Sequence, residues 1–460
     1  MNGSYRQPHL LVLSADTPGE LDAVTDELAA KLTGGADLAD VAAHLRTMPE
    51  LPYRRMVVAV NPARAAQHLQ RRDPRHTATE HARPERPVVF LFSGVGDHYV
   101  GLGAGLARVV PRFRHELTRC LRAMTEETGI ALAEVLYPAG GATSRERSLA
   151  QMLSHDDGPV ADIHRTIAAQ PLLFATQYAM AVTLQAFGVR PAALCGYSIG
   201  EYVAACIAGV LPLDDALRLV ARRACLVADL PGGGMLAVAA APGAIAAAID
   251  PGLVAVADDW AAVDGRGAFE VGFGSTAPLR DGVAVAALNG PALTVLSGPV
   301  EALAAVAATL ATRGIASQRL STSHAFHSPM MDPVVEPLRN LIATIPLREP
   351  QIPLLCNGTG GWMGAEAIDP GYWAGHLRNP VRFADNVAQM WSLDDPILVE
   401  LGPGAALTRL AAQHPARPLG CGTTAITLPG PLEKRPDLVV LLTACGRLWA
   451  AGCPIAIDAL

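Results

Sequence analysis

The stretch Ala192-Ala193-Leu194-Cys195-Gly196-Tyr197-Ser198-Ile199-Gly200-Glu201 decides the reading of this chain. Ala192 to Gly196 reads as a short strand, Ser198 falls in a turn, and Gly200 to Ala208 opens a helix whose end is marked by Gly209 and Pro212. Gly196 to Gly200 has the form G-x-S-x-G, and a strand–turn–helix setting makes that pattern a nucleophile elbow. The glycines leave room for a strained turn that exposes the Ser198 hydroxyl, and the helix N-terminus offers backbone N–H groups to an oxyanion. The same five residues also suit an ordinary glycine-rich turn with a serine cap, so the reading needs partners elsewhere in the chain.

A serine hydroxyl is a weak nucleophile until a base takes its proton. Of the 13 histidines, the densest cluster is His324-Ala325-Phe326-His327-Ser328-Pro329, and His327 is the candidate base. A polar surface loop is the competing description of that cluster. No Asp has a position that nominates it as a third member, so a Ser–His dyad oriented by a backbone carbonyl is expected. Arg222-Arg223 lies on a helical pattern from Leu213 to Leu230, where an arginine could grip a substrate carboxylate in a bidentate pair or sit on a solvated face. Gly94-Val95-Gly96 follows a strand but has Tyr99 where G-x-G-x-x-G needs its third glycine, which excludes a Rossmann reading.

Working outward, 460 residues correspond to about three domains. Half of the residues are hydrophobic and 17% charged, which excludes disorder as the dominant state. A formal charge of −7 argues against a nucleic-acid partner, since such binding depends on neutralising phosphates. The eight cysteines include no C-x-x-C pair, so reduced thiols and no metal are expected. Met1 to Leu13 lacks the form of a secretory leader, and runs such as Met235 to Ile249 are too short to span a bilayer, which points to the cytoplasm and no membrane partner.

The first segment reads as a small α/β unit: strand Leu10–Ser14, helices Pro18–Leu32 and Asp37–Arg46, and strand Tyr53–Val60. It ends in Arg71 to Arg86, a proline-marked linker, with a boundary near residue 86. Val88–Phe92 is a strand, Gly103–Thr128 helical, Gly140–Gly158 a loop and Ile163–Phe187 a helix. From Met235 to Thr322 the order approaches βαββαβ, that of an inserted ferredoxin-like subdomain, although Asp258–Asp281 does not fit it. Ala416–Leu432 reads as irregular and Pro436–Ala451 as a closing helix.

Taken together, these residues resemble the acyltransferase domains of modular type I polyketide synthases and the related malonyl-CoA:acyl carrier protein transacylases. The resemblance runs through Val88–Gly96, the elbow with Glu201, Arg223, Gly232-Gly233-Gly234-Met235, Leu288-Asn289-Gly290-Pro291 and Ser297-Gly298. It continues through the His327 loop, Asn379-Pro380-Val381-Arg382-Phe383 and Glu400-Leu401-Gly402-Pro403-Gly404. It implies an α/β fold in four parts: a ketosynthase-to-acyltransferase linker domain at 1–86, a large α/β-hydrolase-like subdomain at 87–234 and 323–415, a ferredoxin-like subdomain at 235–322, and a post-acyltransferase linker at 416–460.

The resemblance also implies roles. Ser198 would be the acylated nucleophile, His327 its base and Arg223 the clamp on the carboxylate of a malonyl-type group. Val95 and Ile199 would supply oxyanion-hole N–H groups, and His376 the main-chain carbonyl that orients the base. The donor would be an acyl-CoA and the acceptor the phosphopantetheine thiol of an acyl carrier protein, with ping-pong kinetics, no bound cofactor and a ketosynthase domain adjacent. The family usually has proline at Ser93, glutamine at Val95 and His98, and histidine at Tyr197. His324-Ala325-Phe326-His327 is the form associated with malonyl groups, and the Phe326 ring would fill the space of an α-methyl, while Tyr197 and Ile199 border the same pocket. Malonyl-CoA is therefore expected over methylmalonyl-CoA. A serine hydrolase or thioesterase, and a noncatalytic docking domain, are the competing functions.

Overall fold

The structure, a computed structural model, describes residues 7–139, 162–249 and 282–456. The expected loop Gly140–Gly158 and the unassigned stretch Asp258–Asp281 lie outside the described residues. In the first segment two strands buried on both faces, β1 (His9–Ala15) and β2 (Tyr53–Ala59), join β3 (Thr77–His81) in an antiparallel sheet of order β1-β2-β3. It is covered by α1 (Pro18–Thr33), α2 (Leu38–Arg46) and α3 (Pro62–Arg71). Thr17, Asp37 and Asn61 start these helices by accepting backbone N–H groups of Glu20, of Ala39 and Asp40, and of Arg64. The expected linker Arg71–Arg86 is thereby corrected, because Thr77–His81 pairs antiparallel with β2, Met56 opposite Ala78. Pro74 and Pro84 flank that strand rather than interrupt it, which is where proline is tolerated.

Next come β4 (Val88–Phe92), α4 (Ala104–Val109), α5 (Pro111–Thr128), α6 (Leu132–Leu136) and α7 (Thr166–Ala186). The helical stretch Gly103–Thr128 is two helices divided at Pro111, with Val110 extended at φ −108° and ψ 98°. One helix among the described residues, α7, is long and apolar enough to cross a membrane, and 83% of its apolar window is buried inside the fold. Then follow β5 (Ala193–Gly196), α8 (Ile199–Ile207) and α9 (Leu213–Ala228).

A second antiparallel sheet, order β7-β8-β6-β9, is made by β6 (Gly234–Val238), β7 (Ala284–Gly290), β8 (Leu293–Gly298) and β9 (Ser317–Arg319). It carries α10 (Pro242–Ile249) and α11 (Val300–Thr312) and encloses its own apolar core around Leu236, Ile245, Leu296 and Leu310. The chain returns through α12 (Asp332–Ile342), β10 (Leu354–Leu355), α13 (Pro370–Gly375), α14 (Phe383–Trp391), β11 (Ile397–Pro403), α15 (Ala406–Gln413), β12 (Thr424–Leu428) and α16 (Asp437–Ala451).

The large sheet is parallel, in the order β10-β5-β4-β11-β12. Two readings of the sequence change here. Ala416–Leu432 is not irregular throughout, and the large sheet does not end at residue 415, because β12 is its edge strand, with Val399 opposite Ala425. Hydrophobic residues at Ala425 and Leu428 are buried by β11 and α16, a burial that outweighs the surrounding glycines and prolines. The closing helix α16 spans the two halves: Arg54 donates to the Trp449 carbonyl at 2.9 Å, and its guanidinium lies 4.9 Å over the Trp449 ring.

Register brings the loops together. Phe92 is opposite Gly196, and Leu355 is opposite Cys195, so Ser93–Gly96, Tyr197–Ser198 and Cys356–Asn357 all leave the same C-terminal edge. The elbow fits there only with glycines at both ends. A Cβ on Gly196 would lie 2.2 Å from the Glu201 backbone, and one on Gly200 would lie 2.1 Å from the Phe92 carbonyl oxygen. Gly200→Ala should therefore destabilise the fold by about 3 kcal/mol or more, the upper range for a forced overlap. Urea unfolding would measure this, and a midpoint equal to that of the unmodified protein would contradict the packing described.

Candidate functional site

Ser198 caps α8 with φ 54° and ψ −122°, a conformation that non-glycine residues rarely adopt. Its hydroxyl lies 2.8 Å from His327 Nε2. His327 also has positive φ, 59°, and is buried. Its Nδ1 meets the Asn379 carbonyl at 2.7 Å. A carbonyl only accepts, so Nδ1 carries the proton and the Nε2 lone pair faces the Ser198 hydroxyl. Burial, with a lesser push from His376, drives the imidazole pKa down to about 3.

The orienting carbonyl was expected from His376. Its carbonyl is the weaker of two contacts on His327, and the main one belongs to Asn379, because the turn after α13 advances three residues before a carbonyl points at Nδ1. The His376 side chain turns away to Glu201, with Nε2 3.1 Å from Oε2.

Gly94 packs against Tyr197, where an added Cβ would lie 2.9 Å from the ring, so Val95 stands beside the elbow. The N–H groups of Val95 and Ile199 donate no hydrogen bond within the described residues. The Ser93 carbonyl accepts from Gln177 Nε2 at 3.0 Å, which pins the start of this loop to α7. Tyr197 stacks edge-on with Phe383, centroids 5.4 Å apart, and burial pushes its phenol up to about 12, so it stays protonated at neutral pH. His98 is buried and close to His164, 3.2 Å between ring nitrogens, and burial takes its pKa down to about 3.

The two arginines of α9 part company. Arg222 faces outward to Glu127 at 2.9 Å, whereas Arg223 is 1% exposed. Arg223 Nη1 donates to Gln170 of α7, and its Nε and Nη2 have no hydrogen-bond partner among the described residues. The guanidinium is flanked by Tyr202, 5.4 Å to the ring centroid, and Phe326 at 6.0 Å. Burial lowers its pKa, the Tyr202 hydroxyl opposes that in part, and no carboxylate among the described residues pairs with it. A buried cation with idle donors is a costly arrangement that an incoming anion relieves.

Of the residues singled out in the sequence, the structure brings Ser198, His327, Arg223, Tyr197, Ile199, Val95 and Phe326 together at one edge. The sequence did not single out Gln170, Gln177 or Asn357, nor the contact that Asn379 makes with His327. Thr166, Gln170 and Gln177 stand at i, i+4 and i+11 on one face of an otherwise apolar helix, and buried polar residues in that pattern were a readable signal. Thr166 Oγ1 is 2.8 Å from His324 Nδ1, so this face of α7 touches the histidine loop, the arginine and the Gly94 loop.

Comparison with known proteins bears on this geometry. The model of the "Acyl transferase domain" family matches residues 89–268 and 265–417. The chain belongs to the acyl transferase domain family. Specifically, it is an acyltransferase domain of the type I polyketide synthase kind. It is 33% identical over 465 residues to a component of the phenolphthiocerol/phthiocerol polyketide synthase of Mycobacterium tuberculosis, covering 97% of this chain and 28% of that protein. It is 32% identical over 454 residues to the mycoketide-CoA synthase of Mycobacterium tuberculosis, covering 96% of this chain and 10% of that protein. The chain therefore spans less than a third of the length of these relatives. Among solved structures, the acyl transferase domain of SpnD in complex with 2-(pent-4-yn-1-yl)malonyl has a TM-score of 0.79 at 34% identity, covering 98% of this chain and 97% of that one. The acyltransferase domain from module 8 of the salinomycin polyketide synthase has a TM-score of 0.78 at 27% identity, covering 98% of each chain.

The depressed His327 pKa has a measurable consequence for this acyltransferase domain. An imidazole that titrates at about 3 is neutral throughout the neutral and mildly acidic range. Labelling of Ser198 by a serine-directed phosphonate should therefore stay level as pH falls from about 8 to about 5.5, without the midpoint near 6.5 of an ordinary histidine. Folding linkage runs with the same sign. The unfolded histidine takes up a proton below about 6.5 and the folded one does not, so the stability contributed by this site is lost as pH falls.

Proposed function

We propose that this domain accepts a malonyl-type acyl group from acyl-CoA onto Ser198 and passes it to the phosphopantetheine thiol of an acyl carrier protein. The observation that carries this reading is Arg223, a buried guanidinium with idle Nε and Nη2 donors and no acidic partner among the described residues. It is near enough to the base to depress the His327 pKa, so a carboxylate bound to it belongs to the group that reacts at Ser198. A carboxylate accepts two parallel N–H bonds from such a fork, which an acetyl group cannot do.

In the first half-reaction His327 Nε2 takes the Ser198 proton as Oγ attacks the thioester carbonyl. The oxyanion sits between the Val95 and Ile199 N–H groups, the second at the N-terminus of α8. Collapse expels the coenzyme A sulfur, which takes the proton from His327, and leaves an ester on Ser198. In the second half the carrier thiol gives its proton to His327, attacks the ester, and Ser198 recovers its proton as it leaves. The order is ping-pong, because one site serves both thiols in turn. The reading needs no resident cofactor, only the acyl-CoA and the carrier.

Malonyl-CoA is the preferred donor over methylmalonyl-CoA, on the ground that the Phe326 ring stands beside both His327 and the guanidinium. The relative that holds a substituted malonyl group supports the malonyl class, and Phe326 supports the unsubstituted member. Filling the space of one methyl is worth ~1 to 3 kcal/mol, so the preference is finite. The parallel sheet is read as an α/β-hydrolase-like unit and the β7-β8-β6-β9 sheet with its two helices as a ferredoxin-like one, which their strand orders support. The unit that includes β1 to β3 is read as the linker to an adjacent ketosynthase, and the working place as the cytoplasm.

Intact-protein mass spectrometry after brief exposure to malonyl-CoA, methylmalonyl-CoA and acetyl-CoA in competition tests the reading. The malonyl adduct should dominate and vanish in Ser198→Ala. Arg223→Ala should lower malonyl loading roughly 10- to 100-fold, the worth of a charge-assisted hydrogen bond or two, while acetyl loading holds. Rapid release of malonate to water with no carrier transfer would instead mark a hydrolase, and no adduct at all would sink the acyl-serine.

A further inference from the structure

Behind the reacting pair lies a carboxylate that the mechanism above does not use. Glu201 lies in the first turn of α8, just beyond the elbow, is 0% exposed, and has no lysine or arginine partner among the described residues. Its Oε1 accepts the Tyr372 hydroxyl, and its Oε2 accepts both the Asn357 backbone N–H at 3.0 Å and His376 Nε2 at 3.1 Å. Burying a carboxylate is costly unless its oxygens are satisfied, and here each oxygen is.

The two donors on Oε2 lead to opposite members of the pair. On the nucleophile side, the Asn357 side chain brackets the strained turn: Oδ1 accepts the Ser198 N–H at 2.8 Å and Nδ2 donates to the Gly196 carbonyl at 2.6 Å. That bracket opposes relaxation of the Ser198 backbone from its φ of 54°. It also occupies the N–H of Ser198 itself, leaving Val95 and Ile199 as the open donors. On the base side, His376 begins the turn in which the Leu377 carbonyl accepts the His327 N–H at 2.8 Å and the Asn379 carbonyl accepts Nδ1 at 2.7 Å.

We propose that Glu201 is a positioning residue that fixes the distance between Ser198 and His327, acting through Asn357 on the nucleophile and through the 376–379 turn on the base. The proposal rests on the reading that Ser198 is acylated. Glu201 touches no reacting atom, so its effect falls on the rate of acylation and spares the binding of donor at Arg223. A misplacement on the order of 1 Å costs ~100-fold in rate, which sets the size of the effect.

The test measures Ser198 acylation by malonyl-CoA over a range of donor concentrations, with thermal melts alongside, in E201A, E201Q, N357A and the E201A/N357A double variant. Glutamine retains an oxygen for the two Oε2 donors and can present its amide to the Tyr372 hydroxyl. E201A and N357A should lower the maximal rate ~100-fold with half-saturating donor within about twofold, and the double variant should be little slower than E201A, whose loss already reaches Ser198 through Asn357. E201Q should regain most of the loss. Loss below roughly threefold, a weaker donor affinity in place of a slower rate, or E201Q as slow as E201A would overturn the proposal. If E201A fails to fold, N357A and H376A cut the two links separately, and a loss below roughly threefold in either would overturn the proposal. No acylation of the unmodified protein would overturn the acyl-serine reading instead.

Discussion

The site depends on holding Ser198 at positive φ between a strand that ends and a helix that begins. Two close approaches make this possible, Gly196 on the Glu201 backbone and Gly200 on the Phe92 carbonyl, and neither leaves room for a Cβ. Once the turn is held, parallel register does the rest. The strands beside β5 deliver the Gly94–Gly96 loop from one side and Asn357 from the other, so that loop and the side chain that brackets Ser198 arrive at one edge without long-range adjustment.

Electrostatics then separate the two functions of the site. His327 is surrounded so that the neutral imidazole is favoured, with its proton assigned to the side facing the Asn379 carbonyl. Arg223 is surrounded by two aromatic faces and one amide, which leave its charge only partly compensated. A neutral imidazole and a partly compensated cation in one buried space are what the proposed reading uses, in which the acyl group brings its own negative charge. α7 supports both: Gln170 reaches the arginine, and Gln177 holds the loop that carries Val95.

How much of this was legible in the sequence follows from how local each determinant is. The elbow was readable because its strain is met by glycines two residues either side of the serine. The Arg222-Arg223 pair was half readable: one points to Glu127 and the other inward, as helical periodicity with buried Leu219, Val220 and Val227 requires, but the pair alone does not say which. Asn357 was hidden because β10 is two residues long, too short for a periodic signal. β12 was hidden because its apolar residues lie among glycines and prolines and gain their burial only from β11 and α16. The exchange of His376 for Asn379 as the main orienting carbonyl is a matter of one turn of backbone, which no residue type announces.

The account stands or falls on where the acyl carboxylate goes. A crystal structure of the domain trapped as its malonyl-Ser198 ester would show it directly. The account predicts the carboxylate within hydrogen-bonding distance of Arg223 Nη2 or Nε, and the ester carbonyl oxygen facing the Val95 and Ile199 N–H groups. A carboxylate turned to solvent, with Arg223 making no contact to it, would contradict it.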